Sequence, residues 1–94
     1  MITLASYGFE PDKACIVCRH VIDGAPILVF VHDDDGDLQF ACGGEAHSVD
    51  DWHAICLDHV DLAEHRLNRL PAVHAGHVAI REEAGGDWSV EPTG

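Results

Sequence analysis

Cys15-Ile16-Val17-Cys18 is a CxxC pair, and two further half-sites follow it, Cys42-Gly43-Gly44-Glu45-Ala46-His47 and Cys56-Leu57-Asp58-His59. If such half-sites converge, a short chain has few ways to fold. A tetrahedral zinc ion takes four thiolate or imidazole ligands and ties together the segments that bear them. With 94 residues the chain is expected to be a single domain, 1–94, near the low end of the usual size range. A domain this small buries a modest share of its surface, so a metal staple would contribute usefully to stability. Apolar residues make up 47% of the chain, which is enough for a compact core and too many for a disordered segment.

Charge narrows the class of partner. Seventeen acids against five bases give a formal net charge of −12. Phosphate backbones and anionic membrane surfaces would be repelled, so nucleic acid and membrane are disfavoured. A basic protein partner or a cation suits this charge better, although excess acid also serves solubility alone. Met1 to Gly8 lacks a basic stretch followed by a sustained apolar run, and Ala25 to Val31 is too short to span a bilayer. The expected location is cytoplasmic, where thiols stay reduced and serve as metal ligands, redox centres or core residues.

Pattern along the chain predicts a small α+β domain: a β-hairpin, a helix and a C-terminal β-hairpin. Residues 1–14 read as an irregular or edge segment punctuated by Gly8 and Pro11. Ile27 to His32 is apolar and β-branched or aromatic, a strand, and Asp37 to Cys42 alternates as its partner. A two-residue Asp35-Gly36 turn of type I′ would set Val31 opposite Phe40 and Val29 opposite Cys42. Ser48-Val49-Asp50-Asp51 resembles a helix-capping box. Trp52, Ile55, Cys56, His59, Leu62, Ala63, Leu67 and Leu70 recur at spacings of three and four up to Pro71. That stripe predicts one helix, or two with a break near Asp58. A three-residue loop, Ala84-Gly85-Gly86, would close the last hairpin with Ile80 opposite Val90 and Glu82 opposite Trp88.

For the metal, Cys15 and Cys18 supply the first two ligands. The hairpin register returns Cys42 to the end where the chain entered, beside that pair, so Cys42 and His47 are the favoured second half-site. Cys56 and His59, at i and i+3 on the expected helix, are the alternates, and a mixed set such as Cys42 with His59 stays open. Four protein ligands would make the site structural. A metal-free domain with its cysteines in the core is the plainer alternative.

The chemical rival is a thiol redox role for Cys15 and Cys18, assisted by Arg19 and His20, but the βαβ setting of such motifs is missing. Asp33-Asp34-Asp35-Gly36-Asp37 has the wrong spacing and flanks for an EF-hand and reads as a charged hairpin tip. His20, His32, His53, His65, His74 and His77 show no catalytic spacing and read mostly as surface residues. No nucleophile elbow or phosphate-binding loop occurs, so an enzyme is not expected.

Three stretches resemble a group of small uncharacterised bacterial proteins. They are Cys15-Ile16-Val17-Cys18-Arg19-His20-Val21, Val31 through Gly44 (VHDDDGDLQFACGG), and Gly76-His77-Val78-Ala79-Ile80-Arg81 with Trp88. More distantly, the order of strand pair, helix, Leu70-Pro71 and aromatic-bearing last strand is similar to Imm33-like domains, some of which are proposed immunity proteins of bacterial toxin systems. That resemblance implies a non-enzymatic domain, immunity-like or adaptor-like, that works by binding a protein partner. Oligomeric state is not legible in the sequence.

Overall fold

The computed structural model describes residues 2–43, 51–60, 67, 70–83 and 85–93. Its elements are strands β1 (Ile2–Leu4), β2 (Tyr7–Phe9) and β3 (Ala14–Cys18), a single helical turn α1 (Arg19–Ile22), and strands β4 (Val29–His32), β5 (Leu38–Ala41), β6 (Trp52–Cys56), β7 (His77–Ile80) and β8 (Ser89–Pro92). β1 and β2 pair as a separate two-stranded sheet, and the other six form one sheet in the order β6-β3-β5-β4-β7-β8. The domain is a mixed one dominated by sheet. Its Cα radius of gyration, 12.0 Å, matches the ~12 Å expected of one folded unit of this length.

Both faces of the large sheet follow from period-two alternation. One carries Cys15, Val17, Phe30, His32, Leu38, Phe40 and Ala79, all buried. They cluster with Leu4, Ala5, Ile27, Leu57, Val60, Leu67, Leu70 and Val73 from outside that sheet. Phe30 and Phe40 sit directly opposite each other, ring centroids 5.2 Å apart. The second face carries Ile16, Val29, Val31, Gln39, Ala41 and Val78, all half-buried, with Cys18 fully buried at one end.

The first hairpin forms where expected but one residue out of register. Phe30 faces Phe40, Val31 faces Gln39 and Val29 faces Ala41. The loop holds three residues, not two: Asp33 N–H donates to Asp37 O and Gly36 N–H to Asp33 O, both at 2.9 Å. A type I′ turn needs positive φ at Asp35 as well, whereas only Gly36 has it, at +91°. The one-residue shift changes which residues face one another, and it puts both phenylalanines on the core face.

The last hairpin is displaced in the same way, with Ala79 opposite Val90 and Ile80 opposite Ser89. Arg81 is the reason, since it leaves the β8 ladder. Its N–H donates to Leu28 O, while its buried guanidinium donates to Ile27 O from Nε (3.0 Å) and Nη2 (2.7 Å) and lies 4.4 Å from the Trp88 ring centroid. The turn between the strands is therefore longer than three residues.

Two other expectations are corrected. The N-terminal segment is not irregular over its first part. β1 and β2 form a hairpin whose turn residues, Ala5 and Ser6, take φ of 53° and 71°. Alanine and serine are poor signals for a turn that needs two positive φ values, so the sequence hid it. The helix expected from Trp52 through His59 is an edge strand, with Trp52–Cys56 pairing residue for residue with Cys18–Ala14, followed by a 3-10 turn at Leu57–His59. Spacings of three and four suited a helix, but Trp, His, Ile and Cys form helices only moderately. The unpaired edge of β3 offers five residues of ladder instead. The expected capping residues Ser48 to Asp50, and positions 61–66, 68 and 69 of the stripe, lie outside the described residues.

Candidate metal centre

β3 and β5 are neighbouring parallel strands, with Cys15 level with Leu38, Ile16 with Gln39 and Val17 with Phe40. Parallel neighbours deliver their carboxyl ends to the same edge of a sheet. Cys18 closes β3 and Cys42 follows the last residue of β5, so both thiols arrive at one corner. α1 then turns the chain back over that corner, its end fixed by Asp23 N–H to Arg19 O (3.0 Å) and Gly24 N–H to Val21 O (3.0 Å). Gly24 takes φ +115°, which an L side chain would resist. This turn brings in His20, whose Nδ1 lies 3.7 Å from Cys42 Sγ.

Cys18, His20 and Cys42 each offer one donor atom, all within 4.8 Å of one another. Two sulfurs and an imidazole nitrogen form a set that suits zinc and other thiophilic ions. Cys18 is fully buried, Cys42 half-buried and His20 exposed. The corner is therefore anchored on the inside and open to solvent on the outside.

Burial raises the Cys18 thiol above its ordinary range. Backbone N–H groups of Val21 and Cys42 oppose that shift by stabilising the thiolate, and the adjacent Cys42 side chain reinforces it. Those two N–H groups are the outer-sphere donors that a metal-bound thiolate uses. A metal would displace the proton that burial otherwise holds on the sulfur.

Of the residues that the sequence nominated, the structure brings Cys18 and Cys42 together and sets Cys15 apart. Three positions along a strand point to opposite faces, so the CxxC pair is split and does not form a chelating turn. Cys15 is buried on the core face and its Sγ donates to Ile55 O at 3.4 Å. Burial first, then nearby Cys56, pushes its pKa up to about 11, with Lys13 pulling weakly the other way. His47 lies outside the described residues. Cys56 sits half-buried opposite Ala14 on an edge strand, and His59 is exposed, with Nε2 3.9 Å from Asp58 Oδ1. The helical i, i+3 geometry that recommended Cys56 and His59 does not exist here.

His20 was read as a surface residue and is the candidate ligand that sequence reasoning missed. Its signal was Cys18-Arg19-His20 at the end of a strand, where a tight turn folds the imidazole back toward the sulfur. A second cluster occupies another corner. His32 Nδ1 donates to Val73 O (2.8 Å), the Tyr7 hydroxyl and His74 Nδ1 share a hydrogen bond (2.7 Å), and Tyr7 and Phe9 pack edge-on to His32. This cluster pins the N-terminal hairpin to the sheet.

Among the described residues no helix is long and apolar enough to cross a membrane. Comparison with protein-family models, with curated proteins and with solved structures gives no match.

Proposed function

We propose that this is a non-enzymatic domain, stabilised by zinc at Cys18, His20 and Cys42, that acts by binding a protein partner in an immunity-like or adaptor-like role. The observation that carries the metal is the convergence of three donor atoms within 4.8 Å at the shared ends of two parallel strands. The amide hydrogens directed at Cys18 support the same reading. With three ligands from the described residues, a tetrahedral ion keeps one position for another donor, and His47, the fourth ligand expected from sequence, lies outside those residues. A net charge of −12 favours a basic surface on the partner, with attraction acting mainly on the rate of encounter.

Native mass spectrometry of reduced protein titrated with zinc tests the site. One ion per chain is expected. Cys18→Ser and Cys42→Ser should each weaken binding by roughly 100-fold or more, as loss of a thiolate ligand requires, while Cys15→Ser keeps the stoichiometry. Undiminished zinc binding in Cys18→Ser, or its loss in a folded Cys15→Ser protein, would reject this ligand set.

A further inference from the structure

We propose that Cys18 and Cys42 form a thiol switch, in which a hydroperoxide converts the pair to a disulfide and expels the metal. The crosslink depends on the geometry of the two sulfurs alone. The expulsion rests on the metal reading above.

Continuing the β3–β5 register by one step sets Cys18 level with Ala41, one residue short of Cys42. Adjacent strands lie ~4.8 Å apart and each residue advances ~3.3 Å, so the two Cα atoms are separated by roughly 6 Å. Disulfides span roughly 4.4–6.8 Å between Cα atoms, and β5 ends at Ala41, so Cys42 is released from the strand's alternation and can turn its sulfur toward Cys18. The two sulfurs already lie within 4.8 Å of each other.

Exposure assigns the roles. Cys42 is half-buried at the open side of the corner, whereas Cys18 is fully enclosed. Peroxide therefore meets Cys42 first. The Cys42 thiolate attacks one peroxide oxygen, the O–O bond breaks, and hydroxide leaves from a sulfenic acid. Cys18 sulfur then attacks the sulfenic sulfur, the S–S bond forms, and the second oxygen leaves as water once protonated. In sum two thiols and one hydrogen peroxide give one disulfide and two waters, the two electrons passing from sulfur to oxygen. A disulfide is no substitute for two thiolates as a ligand, so only His20 would remain to hold the ion.

The other cysteines provide an internal control. Cys15 is enclosed on the opposite face of β3, and Cys56 lies opposite Ala14, so alternation directs the two sulfurs to different faces.

Hydrogen peroxide added separately to chelator-stripped protein and to zinc-loaded protein decides the matter, read by peptide mapping and a chromophoric zinc indicator. The expected product in both samples is a chain lighter by two hydrogens and crosslinked between Cys18 and Cys42. One zinc should leave the loaded sample per disulfide, and dithiothreitol should reverse both changes. Cys56→Ser should still crosslink, and Cys42→Ser, checked for folding by circular dichroism, should not. Sulfinic acid at Cys42 without a crosslink, or a bond to Cys15 or Cys56, overturns the switch. If the reduced protein never takes up zinc, the metal reading fails, while the stripped sample still decides whether the pair closes.

Discussion

The two faces of β3 carry the same residue type three positions apart and treat it in opposite ways. Cys15 lies among Val17, Leu38, Phe40 and Phe30, and its thiol is held protonated and bonded to a carbonyl. Cys18 lies at the strand's end under a helical turn, with amide hydrogens directed at its sulfur and a thiol and an imidazole beside it. The first environment removes chemistry from a cysteine and the second prepares it. The difference comes from alternation and from what the neighbouring strand ends deliver, not from the local CxxC motif.

The largest effect should come from the core face. Phe30→Ala removes a fully buried ring from contact with Phe40 and should cost about 3–5 kcal/mol in urea unfolding. A loss below about 1 kcal/mol would mean that the two faces have been assigned the wrong way round.

Alkaline unfolding should come next. Cys15 keeps its proton in the folded chain up to about pH 11 but loses it near pH 9 when unfolded. Between those values the unfolded state binds fewer protons, so stability is full below pH 9 and declines as pH rises toward 11. The decline amounts to at most about 3 kcal/mol, and Cys18, whose thiol is also raised, adds in the same direction. Cys15→Ala should flatten the curve, and an equally steep loss in that variant would show that Cys15 is not the group being titrated.

A smaller change belongs to the second face. Val31→Ala, at a half-buried position, should cost roughly 1 kcal/mol, from the ~0.8 kcal/mol carried by each buried methylene. A cost equal to that of Phe30→Ala would erase the contrast between the faces. The smallest effect is expected at Arg19, whose 3.8 Å contact with Asp23 joins side chains 65% and 67% exposed. Arg19→Ala should change the free energy of urea unfolding by less than about 0.5 kcal/mol, because solvent screens such a pair.

Much of the sheet was legible. Two hairpins stood out from alternation and turn residues, and the apolar run at Ile27 to His32 contained β4. Their registers were not legible, since each depended on whether one residue joined the loop or the strand. At Gly36 backbone conformation decided this, and at Arg81 a buried guanidinium did. The β1–β2 turn at Ala5-Ser6 carries no glycine or asparagine to announce it. Trp52 to Cys56 satisfied a helical spacing, and a vacant ladder overruled it.

The candidate site was half legible. The sequence identified thiols and imidazoles as the reactive inventory, placed Cys42 at the end of its hairpin, and nominated Cys18. It also paired Cys18 with the wrong cysteine, because a CxxC chelates in a turn and separates in a strand.

By itself, then, the sequence determined which side chains could bind a soft metal, where the four strands of the two expected hairpins would lie and the sign of the molecular field. Composition and alternation are local properties, and they are read one segment at a time. Tertiary structure alone decided that β3 and β5 run parallel side by side, that Cys15 faces inward while Cys18 meets Cys42, and that His20 folds over them. Those outcomes depend on pairing between segments more than twenty residues apart, where the energy of a completed sheet outweighs any preference within a single stretch.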